Sequence, residues 1–251
     1  MKNLRNFSAI RKLHTCIILF RQKPENLKGK KHSSQLWITR QIQDPYVERA
    51  KRENYRCRSA YKLLEINERF KILQPGHVVI DCGAAPGSWT QVAINVTNAK
   101  AKQDGVAVGI VFGIDKQPIY PIEGATLLSG MDFTDASSQN KILELLKSRK
   151  ANVVMSDMAP NASGVRALDH ENIIRLVYSA LKFALQVTQI DGTFLCKLWD
   201  GGKSEQLEKD LNKFYKYVRN VKPQATRDES TEKYFLAMGF KGLRSTSSNT
   251  T

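Results

Sequence analysis

Polar positions dominate residues 22–50 and no period persists there, so this stretch, with Lys28, Lys30 and Lys31, is expected to be an extension that leads into the folded domain. From Arg58 the pattern becomes regular. Tyr61, Leu63, Leu64, Ile66 and Phe70 follow a helical pattern behind Ser59, a residue type that caps helices, so a helix is expected to end near Lys71. Gln74-Pro75-Gly76 reads as a turn, and residues 77–82 as a short β-branched strand. A glycine-bearing loop then leads into a helix from Ser88 to about Val96. The alternation repeats, with strands expected at 106–114, 125–130, 151–156 and 193–198, and helices at 138–147, 172–188 and 204–215. Two further strands are expected near 217–221 and 234–239.

Strands alternating with helices imply an α/β fold, a mostly parallel seven-stranded sheet with helices on both faces. Residues 222–233 leave no room for a helical crossover, so the last strand is expected to run antiparallel. The expected organisation is a leader over 1–24, the basic extension over 25–50, one folded domain over 51–240 and a flexible tail over 241–251. The leader holds several Arg and Lys residues and no acid before Glu25, the composition of a mitochondrial presequence. The apolar run from Cys16 to Phe20 is short for a secretory signal, whose core needs about 7 residues or more. A basic arm that touches nucleic acid has the same composition and remains open.

Composition sharpens the picture. Apolar residues make up 41% and charged residues 25%, an ordinary globular balance, but 39 Lys and Arg against 24 acids leave a net charge of +15. Such an excess attracts polyanions and is the footprint of a nucleic-acid binder. The four cysteines show no metal-ligand spacing, and no run is long and apolar enough to span a bilayer.

The segment from Asp81 to Gln91, Asp-Cys-Gly-Ala-Ala-Pro-Gly-Ser-Trp-Thr-Gln, joins the first expected strand to its helix, where doubly wound sheets bind ligands. Gly83 and Gly87 allow a tight turn and a close approach. The spacing is not that of a dinucleotide fingerprint, and no Gly-Lys-Ser/Thr of a phosphate loop is present. Acids recur at strand ends as Asp81, Asp115, Asp132 and Asp157, a set suited to ribose hydroxyls, an adenine amino group and a cationic centre. Aspartates that merely cap helices would look the same singly.

These residues carry a resemblance. Arg58-Ser-Ala-Tyr-Lys-Leu-Leu-Glu, the Asp81–Gln91 loop, Gly130-Met-Asp-Phe-Thr-Asp, Ser156-Asp-Met-Ala-Pro-Asn, Phe194-Leu-Cys-Lys-Leu and Arg227-Asp-Glu-Ser-Thr-Glu-Lys-Tyr stand in order. Together they resemble the FtsJ/RrmJ-like ribose 2′-O-methyltransferases of the class I S-adenosylmethionine-dependent fold, most closely the mitochondrial large-subunit ribosomal-RNA branch. The resemblance implies that Gly83, Pro86, Gly87, Ser88 and Trp89 line a pocket for S-adenosyl-L-methionine. It further implies Asp115 at the ribose or adenine, Asp132 at the adenine edge and Asp157 beside the transferred methyl.

The same resemblance maps a catalytic tetrad onto Lys62, Asp157, Lys197 and Glu232, with Lys197 as the base that accepts the hydroxyl proton. An amine serves as base only after shedding its proton, which burial or a second cation favours. Lys62 or Glu232 alone would read as an ordinary surface residue, whereas Lys197 sits in a run that predicts a buried strand, where unpaired lysine is rare. For substrate contact the expected residues are Lys51, Tyr55, Arg56 and Arg58, cations for phosphates with an aromatic for a base. The implied partner is ribosomal RNA, in an assembling large subunit of the mitochondrial matrix. Transfer RNA, a messenger cap or a non-catalytic assembly role stay open as alternatives.

Overall fold

The computed structural model describes Gly29 and residues 31–243. The expected leader, Lys28, Lys30 and the tail beyond Leu243 lie outside the described residues. Two compact units divide between Pro45 and Tyr46. The first contains helix α1 (His32–Gln43), in which the Thr39 hydroxyl donates to the Gln35 carbonyl at 2.9 Å. Within the stretch expected to be a basic extension, residues 32–43 are therefore helical. Helix α2 (Pro45–Arg52) follows, its first position taken by a proline whose missing N–H has no partner to lose there.

The second unit is built on α3 (Ala60–Phe70), β1 (Val78–Cys82), α4 (Ser88–Thr97), β2 (Ile110–Asp115), β3 (Ala125–Ser129), α5 (Ala136–Leu146) and β4 (Ala151–Ser156). It continues with α6 (Arg166–Val187), β5 (Thr188–Trp199), α7 (Ser204–Phe214), β6 (Tyr215–Val221) and β7 (Glu232–Phe240). The seven strands lie in the order β3-β2-β1-β4-β5-β7-β6. The first five are parallel, and β7 runs antiparallel between β5 and β6. Strand order reverses between β1 and β4, so a crevice opens beyond their carboxyl ends, the place where such sheets bind ligands.

Strand period explains the core. Ile80, Phe112, Val154, Phe194 and Phe235 point to one face, against α5, α6 and α7. Val79, Val111, Val153, Met155, Leu195, Tyr234 and Leu236 point to the other, against α3 and α4. Complete burial of each such side chain contributes roughly 1.5–3 kcal/mol. No helix among the described residues is long and apolar enough to cross a membrane.

Several element ends differ from expectation, among them the start of β5 at Thr188 rather than 193. Strand β2 starts at Ile110 rather than 106, because the Asn98 side chain binds the intervening loop through Lys102 N, Gln103 N and the carbonyls of Gln103 and Val106. Helix α6 starts six residues early, at Arg166, its entry braced by Asp169 accepting from the N–H groups of Ser163 and Gly164. Ser59 precedes α3 but makes no side-chain cap; its hydroxyl lies 2.7 Å from that of Ser88 instead.

Candidate active site

The loop after β1 is shaped by its glycines. Gly83 has φ +81°, and a Cβ there would stand 2.5 Å from Met158 Cγ and 2.9 Å from Met158 N. The N–H groups of Gly83 and Ala84 both donate to the Ile114 carbonyl, at 2.9 and 3.1 Å, which lays the loop across the end of β2. Asp115 Oδ2 accepts from Ala85 N at 2.9 Å and Oδ1 from Gln117 N at 2.7 Å. Behind the loop, Asp81 is fully buried and accepts from the Thr90 hydroxyl at 2.6 Å. Burial pushes its carboxyl up to about 7, against the Thr90 bond and with help from the charges of Asp157 and Asp115.

A cavity of about 320 Å³ opens at the crevice, within the size range of small-ligand sites. Gly83, Asp115, Asp132 and Asp157 line it, together with Phe133 and Met158. Each of these last two follows one of the lining aspartates in sequence, a signal available from the motifs. Asp132 accepts from the backbone and hydroxyl of Thr134, which hold its carboxyl below the usual range. Pro86, Gly87, Ser88 and Trp89 are not on the lining. Trp89 is buried under the loop, its indole N–H donating to the Ser59 carbonyl at 2.9 Å and its ring 5.6 Å from that of Tyr234. The Trp89 ring thus stands beneath the loop, off the lining of this cavity. The indole turns inward because its ring finds an apolar layer on the α3 side of the sheet.

Lys62, Asp157, Lys197 and Glu232 come together beside this cavity. Parity does the work: Lys197 lies two residues beyond Leu195, and Glu232 two before Tyr234, so both fall on the face that packs against α3. The register then sets Lys197 opposite Tyr234 and Trp199 opposite Glu232. Lys197 Nζ lies 3.0 Å from Asp157 Oδ1 and donates to the Asp157 carbonyl at 2.5 Å. Lys62 donates to Glu232 Oε1. The Tyr234 hydroxyl joins the two pairs, donating to Asp157 Oδ1 at 2.9 Å with Glu232 Oε1 at 3.2 Å. Tyr234 was not among the expected site residues. Its place two residues after Glu232 on a period-2 strand was the available signal. Burial, then the charges of Asp157 and Glu232, hold its phenol well above the ordinary range, so it stays a donor.

The FtsJ-like methyltransferase family matches residues 55–240, most of the chain. The chain is an FtsJ-like methyltransferase. It is 51% identical over 222 residues to "rRNA methyltransferase 2, mitochondrial" of Drosophila melanogaster, covering 88% of this chain and 89% of the relative. It is 45% identical over 225 residues to "Ribosomal RNA large subunit methyltransferase E" of Cereibacter sphaeroides, covering 90% and 91%. Among solved structures it matches a ribosomal RNA methyltransferase of Plasmodium falciparum at TM-score 0.65 and 28% identity, over 75% of this chain and all of that one.

In this FtsJ-like methyltransferase the residues expected to meet substrate fall into two groups. Lys51 is exposed on α2, whereas Tyr55 is partly buried with its ring edge-on to Tyr61 at 5.8 Å. The two arginines are engaged within the fold. Arg58 donates to the Ala225 carbonyl at 2.6 Å, while Ala225 N donates to Glu65 at 3.0 Å, so one residue of the 222–231 loop is held through both its backbone groups by α3 and its approach. Arg56 donates to the carbonyls of Pro86, Tyr120 and Pro121. Among the described residues no cluster of acids, histidines or cysteines is arranged to hold a metal ion.

Proposed function

We propose that this FtsJ-like methyltransferase transfers a methyl group from S-adenosyl-L-methionine to a ribose 2′-hydroxyl of large-subunit ribosomal RNA in the mitochondrial matrix, with Lys197 as general base. The observation that carries this reading is an adjacency. Asp157 lines the cavity and at the same time accepts from Lys197 and Tyr234, so a donor site and a basic side chain share one wall.

The lining suits that donor. Asp115 and Asp132 offer carboxylates to ribose hydroxyls and an adenine amino group, Gly83 leaves bare backbone, and Asp157 supplies negative charge for a sulfonium. When bound, the donor supplies an electrophilic methyl and a neutral leaving group. The protein's task is then to align the hydroxyl and remove one proton. Lys197, held by Asp157 through both a carboxylate and a main-chain oxygen, first gives up one of its own protons to solvent, and the neutral amine then accepts the hydroxyl proton at Nζ. Lys62 and Glu232 orient the hydroxyl, and Tyr234 ties their pair to Asp157.

The RNA assignment rests on the names of the relatives and on a net charge of +15. The mitochondrial assignment rests on the name of the Drosophila relative and the acid-free basic composition of residues 1–24, read as a cleaved leader ahead of a basic extension and a catalytic body. An assembling large subunit is the proposed substrate form. The test is ribose-methylation mapping of mitochondrial large-subunit RNA in cells lacking the protein, complemented with wild type or Lys197→Ala. Wild type restores one 2′-O-methyl mark and K197A does not. A mark that persists without the protein, or returns with K197A, overturns the assignment.

A further inference from the structure

Arg56 lies outside the cavity lining, yet its side chain touches both loops that build one wall of it. Nη1 donates to the Pro86 carbonyl at 2.7 Å and the Tyr120 carbonyl at 2.8 Å, and Nη2 to the Pro121 carbonyl at 2.9 Å. Pro86 belongs to the β1–α4 loop that lines the cavity with Gly83 and Ala85. Tyr120 and Pro121 belong to the β2–β3 loop that lines it with Lys116 and Gln117. The arginine is itself anchored, since its backbone N–H donates to Gln91 Oε1 at 2.9 Å and Gln91 Nε2 donates to the Asn54 carbonyl at 2.9 Å.

Two further features depend on this fork. Gly87 has φ +114°, and a Cβ there would stand 2.9 Å from Arg56 Nη1 and 2.6 Å from Ile122 Cδ1, so the absent side chain is what lets the guanidinium reach the loop. The Ala85–Pro86 segment is held from two directions, with Ala85 N on Asp115 Oδ2 at 2.9 Å and the Pro86 carbonyl on Arg56. Only a planar, multi-donor cation can bridge three carbonyls on two loops; a lysine ammonium on a flexible stem cannot span them equally.

We propose that Arg56 is a positioning residue for the methyl-donor site, a clip that pre-orders the β1–α4 and β2–β3 loops, and not a phosphate contact. The inference rests on the reading of the cavity as the S-adenosylmethionine site. Without the clip, the ordering of both loops is charged against ligand binding, so donor affinity falls while the reacting groups stay in place.

The experiment measures S-adenosylmethionine binding by calorimetry, steady-state methyl transfer, and the salt dependence of binding to a large-subunit ribosomal RNA transcript. These are compared for wild type, Arg56→Ala and Arg56→Lys. Both variants should bind the donor about tenfold or more weakly, the loss expected from hydrogen bonds made by a charged donor. At saturating donor, kcat should stay within about twofold, and the slope of log affinity against log salt should not change. Should R56A fail to fold, R56K keeps the charge and the stem, and hydrogen exchange adds a second readout. In wild type the donor should slow exchange in residues 83–87 and 116–122 together, and in R56K much less. A phosphate contact would give the opposite result: unchanged donor affinity, near-wild-type R56K, and in R56A a salt slope reduced by about one unit. That result overturns the proposal and leaves the proposed function standing. Failure of the wild type itself to bind the donor removes both.

Discussion

Replacing Tyr234 with Phe isolates the hydroxyl that joins the two charged pairs. The ring is fully buried and packs 5.6 Å from Trp89, so phenylalanine keeps the packing and opens no cavity beyond one oxygen. The hydroxyl has one proton and two acceptors, at 2.9 Å on Asp157 and 3.2 Å on Glu232, so the loss is counted as one hydrogen bond to a charged group. Such a bond contributes about 1.5–3 kcal/mol net. For a domain of this size each kcal/mol moves the melting midpoint by about 2–4 °C, so Y234F should melt roughly 3–12 °C lower. The same energy spent on aligning Asp157 and Glu232 would lower kcat by roughly 10- to 100-fold. KM for the donor should hardly move, because Tyr234 is not on the cavity lining. Thermal unfolding and transfer of a labelled methyl group to RNA at saturating donor measure both quantities. A double-mutant cycle with Glu232→Gln should be non-additive, since both changes break one network. A variant within about 0.5 kcal/mol of wild-type stability and within twofold of its kcat, a loss typical of an uninvolved site, would refute the joining role of Tyr234.

Two other outcomes follow from the same geometry. Gly83→Ala should reduce donor binding and stability together, because its Cβ would meet Met158 N at 2.9 Å at a backbone angle that favours glycine; calorimetry and melting check it, and unchanged values would show that the loop shifts freely. Asp81 ionises at about 7 in the folded protein against 3.8 unfolded, so the folded state holds its proton more tightly. Its contribution is therefore full below about pH 4 and is lost as pH rises to about 7, a few kcal/mol in order of magnitude. Asp81→Asn should gain stability relative to wild type across that window, and parallel denaturation profiles for the two proteins would contradict the assignment.

Much of the site was legible because its chemistry is local to strand ends. Asp115 ends a strand, and Asp132 and Asp157 follow one, each announced by an apolar run, and chain connectivity alone brings those ends to one edge. Lys197 was legible from its apolar neighbours, which predict a buried strand, and a buried lysine needs a partner. Proximity in sequence does not by itself say where a side chain packs. Trp89 stands in the same loop as Gly83, but its large ring is more stable under the loop than against a polar cavity, so it packs on Tyr234. Arg56 and Arg58 carry charge suited to phosphate, and nothing local reveals that carbonyls of Pro86, Tyr120, Pro121 and Ala225 stand within reach.

The amino-acid order by itself determined the alternation of strands and helices, the face each strand residue occupies, and the family motifs, because these depend on periods of two and of about 3.6 residues along one segment. Only the tertiary structure decided which of those faces meet. The insertion of β7 between β5 and β6 sets Tyr234 opposite Lys197, and the packing of α3 on that face delivers Lys62 to Glu232. Partners separated by 40 to 170 positions are joined by register and packing, which no local pattern encodes.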